Sequence, residues 1–263
     1  MNRYLFIMTL GLYLTAGMLY LLQLVFTGAS IAKYAIRFTL LSWLLETVLL
    51  GFLFAKNGYP FLTDSFSSYA FSAWVVAAAF LLLNLRYRFA MVGAFILPLI
   101  SVFYLLAWFS SENYDPSRAI MHSPWGSIHI IFSFLAFALF AVSFVLGILF
   151  IVEEFQLKYK VSPKMFLRLP SLDSVEQIHA KALTLGFILL SGGIITGAAW
   201  AKSVTGFYFF EDARQLWSII AWLIYALFLQ ARISAGWRGR RGILLSLLGF
   251  VVIVFTFLGV RHN

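Results

Sequence analysis

Residues 127–152 read SIHIIFSFLAFALFAVSFVLGILFIV and contain no aspartate, glutamate, lysine or arginine. A helix needs about 20 largely apolar residues to cross a hydrocarbon layer about 30 Å thick, and this run is longer than that. Its apolar residues are continuous rather than alternating, which favours a helix over a strand of a membrane barrel. The stretch therefore predicts a transmembrane helix.

Seven further stretches have the same apolar character. They lie at roughly 4–26, 38–55, 66–85, 89–109, 182–200, 216–235 and 242–260. The first is too long for the core of a signal peptide, and no persuasive small-residue cleavage site follows it, so we expect it to be retained. The sequence predicts an all-α integral membrane protein with eight transmembrane helices. We expect one membrane domain over 1–263, with four helices in 1–109 and four in 127–260.

The overall composition supports the membrane assignment. Of the 263 residues, 62% are hydrophobic and only 11% are charged, and the mean hydropathy is +0.93. A soluble domain carries about 25% charged residues, so this chain cannot cover a water-facing surface. The chain has no cysteine, which excludes disulfide scaffolds and a cysteine nucleophile.

The net charge of +9 is interpreted by position along the chain. Thirteen of the 19 lysines and arginines fall in alternate loops, on one side of the predicted bundle. Because basic residues mark the cytoplasmic side, we expect both termini to lie on the outer side. We therefore interpret the charge as a sign of topology and expect the chain in a cell inner (cytoplasmic) membrane. We expect the lipid bilayer as a partner, and we expect no binding to nucleic acid.

The loop between the sixth and seventh stretches, within 197–217, is rich in aromatic residues around two acids, Glu211 and Asp212. The aromatic residues are Trp200, Phe207, Tyr208, Phe209, Phe210 and Trp217. One interpretation is an interfacial aromatic belt, because Trp and Tyr concentrate at headgroup level. A second is a platform for a large planar apolar ligand, since flat rings beside a few polar groups suit one.

Residues 197–225 read GAAWAKSVTGFYFFEDARQLWSIIAWLIY. This segment resembles the tryptophan-rich haem-handling signature of the CcsA/ResC/HemX cytochrome c assembly family. The matching positions are Gly197, Trp200, Ala201, Gly206, Tyr208, Asp212, Trp217, Trp222 and Tyr225. Thr205, Phe209 and Glu211 stand at tryptophan positions of the signature, and Ala213, Arg214 and Gln215 replace its Pro-Lys-Glu. The resemblance extends upstream to residues 60–74 and 93–99, and downstream to the basic turn at 236–241.

The resemblance implies a set of ligands for b-type haem, bound non-covalently and in transit. His129, at the start of the fifth helix, matches an outward-side haem ligand of the family. Imidazole is a usual axial ligand of haem iron. His262 is the candidate second ligand, although FTFLGVRHN places it several positions earlier than the family's tail histidine. Trp200, Tyr208, Trp217 and the phenylalanines, Phe209 among them, would form the platform, and Gly206 belongs to the same haem-binding set. Asp212 and Arg214 would position the loop or contact the propionates.

Four other polar residues have weaker claims to a role in haem binding. His122 is interpreted as a solvated loop residue, and His179 lies on the opposite side from the aromatic loop. Gln230 stands where haem-transporting members carry the histidine of L-H-A-R, so the expected inner ligand is missing. Glu46 lies near the middle of the second helix without a basic partner, and such a group is either functional or hydrogen-bonded in a neutral form.

Three functions follow from these residues. The first is a haem-handling protein that works with a second cytochrome c assembly subunit and presents haem to apocytochrome c. It would then be at most one subunit of a cytochrome c synthase, with no catalytic residue of its own assigned. The alternative is a HemX-like membrane regulator or accessory protein of tetrapyrrole biosynthesis, without haem attachment activity. A small-solute transporter is favoured only by Glu46.

Overall fold

The computed structural model describes residues 3–26, 29–57, 64–87, 89–110, 123–159, 171–208 and 213–259. Within these ranges the chain forms helices and no strand. In chain order the helices are α1 (Arg3–Val25), α2 (Ala29–Asn57), α3 (Ser65–Tyr87), α4 (Ala90–Phe109), α5 (Pro124–Tyr159), α6 (Leu172–Thr205), α7 (Ala213–Ser234) and α8 (Arg240–Gly259). In the searched part of the chain, seven helices, α1 to α7, are long and apolar enough to cross a membrane. The protein is therefore a multi-pass membrane protein.

Three helices extend well beyond the predicted apolar stretches. Helix α2 begins at Ala29 rather than near residue 38, α5 continues to Tyr159, and α6 begins at Leu172 rather than near residue 182. The Ser171 side chain caps α6 by accepting a hydrogen bond from the Ser174 N–H, and Asp173 lies in the first turn. At about 1.5 Å per residue, the 34 residues of α6 span about 50 Å. A hydropathy pattern detects only the apolar part of such a helix, which explains the late predicted start.

The helices form two compact units, one of α1–α4 and one of α5–α8. In the first, α1 contacts α2 and α4, and α3 contacts α2 and α4. Phe6 of α1 stacks on Tyr104 of α4 with ring centroids 4.2 Å apart and an interplanar angle of 10°. Gly93 of α4 allows close packing, because a Cβ there would lie 2.6 Å from the Tyr20 ring.

Glu46 of α2 is fully buried in the first unit. The hydroxyl of Tyr13, also fully buried, donates a hydrogen bond of 2.6 Å to its Oε2. The other carboxyl oxygen, Oε1, has no hydrogen-bond partner in the part of the chain that the structure describes. The structure thus shows the hydrogen bond expected in one of the two alternatives for this carboxyl.

We expect Glu46→Gln to fold and insert normally. The glutamine carbonyl can accept the Tyr13 hydrogen bond, so the change in unfolding free energy should stay below about 1 kcal/mol. Thermal unfolding of the purified protein in detergent measures it, with Tyr13→Phe as the variant that removes only the donor. Loss of folded protein in Glu46→Gln and recovery in Glu46→Asp would show instead that a negative charge is required.

In the second unit α5 contacts α6 most extensively, and α8 packs against α5 and α7. Phe140 of α5 stacks on Tyr225 of α7 with centroids 4.1 Å apart and an interplanar angle of 1°. Two glycines make room for this pair: a Cβ on Gly186 would lie 2.9 Å from Phe140, and one on Gly249 would lie 2.8 Å from Tyr225. The end of this unit where α5 begins and α6 ends is called the His129 end, and the opposite end the His179 end.

Candidate functional site

His129 lies in the second turn of α5 and is fixed to the backbone of α6. Its Nδ1 is 2.7 Å from the carbonyl oxygen of Gly193. Because a carbonyl can only accept, Nδ1 carries the proton and donates it, and Nε2 keeps its lone pair. The bond to Gly193 is the one hydrogen bond of this ring in the part of the chain that the structure describes, so Nε2 is free. A half-buried imidazole with a free Nε2 has the donor chemistry that haem iron takes.

Three glycines of α6 form a groove that receives α5, and this glycine groove consists of Gly192, Gly193 and Gly197. A Cβ on Gly197 would lie 2.8 Å from Nδ1 of His129. A Cβ on Gly192 would lie 2.6 Å from the ring of Phe132, and one on Gly193 would lie 3.3 Å from the Ser133 hydroxyl. The absence of side chains at these positions lets α5 and α6 approach closely.

Gly206 ends α6 in the left-handed conformation, with φ of 82° and its N–H bonded to the Lys202 carbonyl at 2.9 Å. A residue with a Cβ pays about 1–2 kcal/mol in this conformation, which explains the glycine. The turn brings Tyr208 back to α6, where Lys202 Nζ donates to the Tyr208 hydroxyl at 2.6 Å. Nζ also lies 4.2 Å from the centroid of that ring. The sequence did not indicate Lys202 as part of the site, because its contact with Tyr208 depends on the turn at Gly206.

The aromatic residues of the predicted platform have different surroundings. Phe207 and Tyr208 are exposed beyond the end of α6. Trp217 of α7 instead packs edge-on against Phe255 of α8, with centroids 4.9 Å apart. Trp222, one turn and a half further along α7, donates to the Ser191 hydroxyl of α6 at 2.8 Å. These two indoles therefore join helices as well as standing in the haem-handling signature.

Four predicted site residues cannot be placed. Phe209, Asp212 and His262 lie outside the described residues, and so does the side chain of Arg214. His122 of the preceding loop lies outside them too. The predicted roles of these residues remain predictions.

His179 lies at the opposite end of the second unit, eighteen residues or about 27 Å along α6 from Gly197. It is buried, and its Nε2 is 2.8 Å from the Ser246 hydroxyl of α8. That hydroxyl donates to the Ile243 carbonyl, so His179 must donate from Nε2. Ser143 of α5 donates to the backbone carbonyl of His179. These contacts tie α5, α6 and α8 together, so His179 has a structural role in this arrangement.

Beside His179, an ion pair joins α6 to α7. Arg232 binds Glu176 through both terminal nitrogens of its guanidinium group, Nη1 and Nη2. Only 21% of the arginine side chain and 9% of the glutamate side chain are exposed. The two residues are 56 positions apart, so no local pattern could have paired them.

Comparison with known proteins identifies the family. A family profile described as "Cytochrome C assembly protein" matches residues 62–263, which is most of the chain. The chain belongs to this family. This confirms the resemblance drawn from residues 197–225.

Curated relatives within this family extend over nearly the whole chain. The Cytochrome c biogenesis protein CcsA of Pyropia yezoensis is 28% identical over 95% of this chain and 91% of its own length. The protein of the same name in Prochlorococcus marinus (strain MIT 9301) is 30% identical over 88% of this chain and 82% of its own.

A solved structure shares the fold of this cytochrome c assembly protein. Cytochrome c Heme Lyase CcmF superposes with a TM-score of 0.70 at 15% sequence identity. The match covers 98% of this chain and 46% of the CcmF chain. The fold therefore corresponds to about half of that larger protein.

Proposed function

We propose that this member of the cytochrome c assembly family binds haem at the His129 end of its second unit, with Nε2 of His129 as an axial ligand. The observation that carries the proposal is the hydrogen bond from Nδ1 to Gly193, which leaves Nε2 free. Metal-binding histidines commonly donate a hydrogen bond from their other ring N–H to a carbonyl, which fixes the tautomer and strengthens the ligand. The haem is b-type and is held without a covalent bond. Its iron is the electron-accepting centre that an imidazole can coordinate.

Positive charge at the same end of the unit suits the propionate groups of haem. Lys202 is exposed and is oriented by Tyr208, and Arg214 is the second residue of α7. Two cations match the two propionates of haem, because Lys and Arg bind carboxylates through charge-assisted hydrogen bonds. The exposed rings of Phe207 and Tyr208 offer apolar surface for the macrocycle. Trp200, Phe209 and Trp217 would complete this platform. Asp212 would hold the loop, and His262 is the candidate second ligand.

The proposed topology places this end outside the membrane. Eight spans, with α8 as the last, put both termini and the His129 end on the outer side, and the basic loops in the cytoplasm. We place the protein in the cell inner membrane on this basis. Reporter fusions at Lys160 and Ser203 test the topology: cytoplasmic activity at the first and outer activity at the second are expected. An outward Lys160 would overturn it.

The proposed activity is the presentation of haem to apocytochrome c, together with a second membrane subunit. This chain has no cysteine, so the thiols that react come from the substrate protein. The second candidate function is a HemX-like regulator of tetrapyrrole biosynthesis. It is favoured by the replacement of three signature tryptophans at Thr205, Phe209 and Glu211, and by Gln230 at the position of the inner histidine.

Deleting the gene and restoring it separates the two functions. If the chain acts in haem attachment, cells without it should lose covalently bound haem in their c-type cytochromes, and tetrapyrrole precursors should stay at normal levels. Haem staining of denatured membrane proteins and precursor measurement in the same cells give both readings. Normal covalent haem with altered precursor levels would instead favour the regulator.

A further inference from the structure

We infer that Gly193 and Gly197 are positioning residues, which hold His129 in the Nδ1–H tautomer with Nε2 directed away from α6. The backbone carbonyl of Gly193 supplies the acceptor, and the missing side chain of Gly197 supplies the space for the ring. The role of this arrangement in iron binding rests on the proposed function. The tautomer itself does not.

The acceptor is a main-chain group, and this matters for the tautomer. A carboxylate or hydroxyl partner can change its rotamer or its protonation, whereas the Gly193 carbonyl is fixed by α6. The distance of 2.7 Å lies within the range of N–H···O hydrogen bonds, and because the carbonyl can only accept, the proton is on Nδ1. Donation of this hydrogen bond polarises the N–H bond and raises the electron density of the ring, which makes Nε2 a stronger donor to a metal.

The space for the ring depends on Gly197. A Cβ at this position would lie 2.8 Å from Nδ1 and 2.9 Å from Cε1 of His129. Real Cβ atoms do not approach other atoms so closely, so the imidazole would have to move away from α6. Because Nδ1 is itself the closest atom, any such movement stretches the hydrogen bond to Gly193.

Helix packing alone would give a different pattern of effects. The same groove contains Gly192, where a Cβ would lie 2.6 Å from Phe132 and its three nearest atoms all belong to Phe132 rather than to His129. If the glycines served only to bring α5 and α6 together, Gly192→Ala and Gly197→Ala would have similar consequences. If Gly197 positions the imidazole, only Gly197→Ala should change the state of His129. Gly192→Ala is therefore the matched control.

The test is ¹⁵N NMR of the haem-free protein in detergent, labelled at histidine, with His129→Gln used to assign the signal. In the wild type, His129 should show a protonated Nδ1 and a bare Nε2. Gly197→Ala should convert this signal to a mixture of tautomers, and Gly192→Ala should leave it unchanged. A wild-type His129 protonated on Nε2, or an unchanged signal in Gly197→Ala, would overturn the inference. The wild-type measurement decides the tautomer even if Gly197→Ala fails to insert.

A second measurement links the tautomer to haem. Titration with haem should show affinity reduced roughly 10–100-fold in Gly197→Ala, the range found when the partner of a metal-binding histidine is removed. Gly192→Ala should bind as the wild type does. Haem binding that is lost in His129→Ala but unaffected in Gly197→Ala would sink the inference and leave the proposed function standing. The expected tautomer in a wild-type protein that binds no haem would do the reverse.

Discussion

His129→Ala is expected to remove most of the haem bound by the purified protein, or to shift its absorption band, while the protein still folds and inserts. The imidazole is half-buried at one end of the bundle, and its removal breaks one hydrogen bond to α6. Such a hydrogen bond contributes about 0.6 kcal/mol on average in a membrane protein, so the fold should survive. The haem-to-protein ratio and the visible spectrum measure the effect. Retention of wild-type haem and spectrum would exclude His129 as the ligand.

Two controls sharpen this result. Added imidazole should partly restore haem to His129→Ala, because the surrounding surface would be intact and only the iron ligand missing. His179→Ala should leave the haem spectrum unchanged. The His179 ring is hydrogen-bonded to Ser246 and lies about 27 Å along α6 from Gly197. A spectrum altered equally by both substitutions would indicate a general structural effect instead.

His262→Ala separates one ligand from two. Loss of haem comparable to that in His129→Ala would make His262 a second axial ligand and favour haem attachment. An unchanged spectrum would favour a single protein ligand.

Arg232→Ala is expected to cause the largest loss of stability. It would leave the Glu176 carboxylate buried without its partner, and breaking a buried ion pair costs about 3–5 kcal/mol. The remaining exposure of Arg232 places the expected loss near the lower end of this range. Reversible unfolding in mixed detergent measures it. The loss should fall mainly on the attachment of α7 to α6, which the ion pair and the Trp222–Ser191 hydrogen bond secure.

Arg240→Ala is the matched control for this substitution. Arg240 pairs with Glu154 at 3.8 Å, but 59% of its side chain and 35% of that of Glu154 are exposed. Exposed ion pairs contribute about 0–1 kcal/mol, so this variant should be almost as stable as the wild type. Equal losses in Arg232→Ala and Arg240→Ala would show that burial does not set the strength of the Glu176 pair.

The sequence was sufficient for features that depend on local composition. Long apolar runs predicted the helices, because hydropathy acts at each position separately. The early start of α6 was missed because its first turns are polar and are stabilised by a partner 56 positions away, Arg232. The Tyr13 donor to Glu46 could not be predicted for the same reason, because it lies on a different helix, 33 positions earlier.

The candidate site shows the same division. His129 was predicted from its place at the start of an apolar helix and from family resemblance. Its tautomer could not be predicted, because that depends on a backbone carbonyl 64 positions further along the chain. The cation supplied by Lys202 was missed because its contact with Tyr208 depends on the turn at Gly206. Backbone conformation and tertiary contacts thus decided what composition could not.

The visible absorption spectrum of the wild-type protein, expressed with ample haem and purified in mild detergent, tests the haem-binding proposal most directly. We expect a haem absorption band in the position typical of iron bound by imidazole, and this band should disappear or shift in His129→Ala. A wild-type protein that is folded and free of any haem absorption would contradict the proposal.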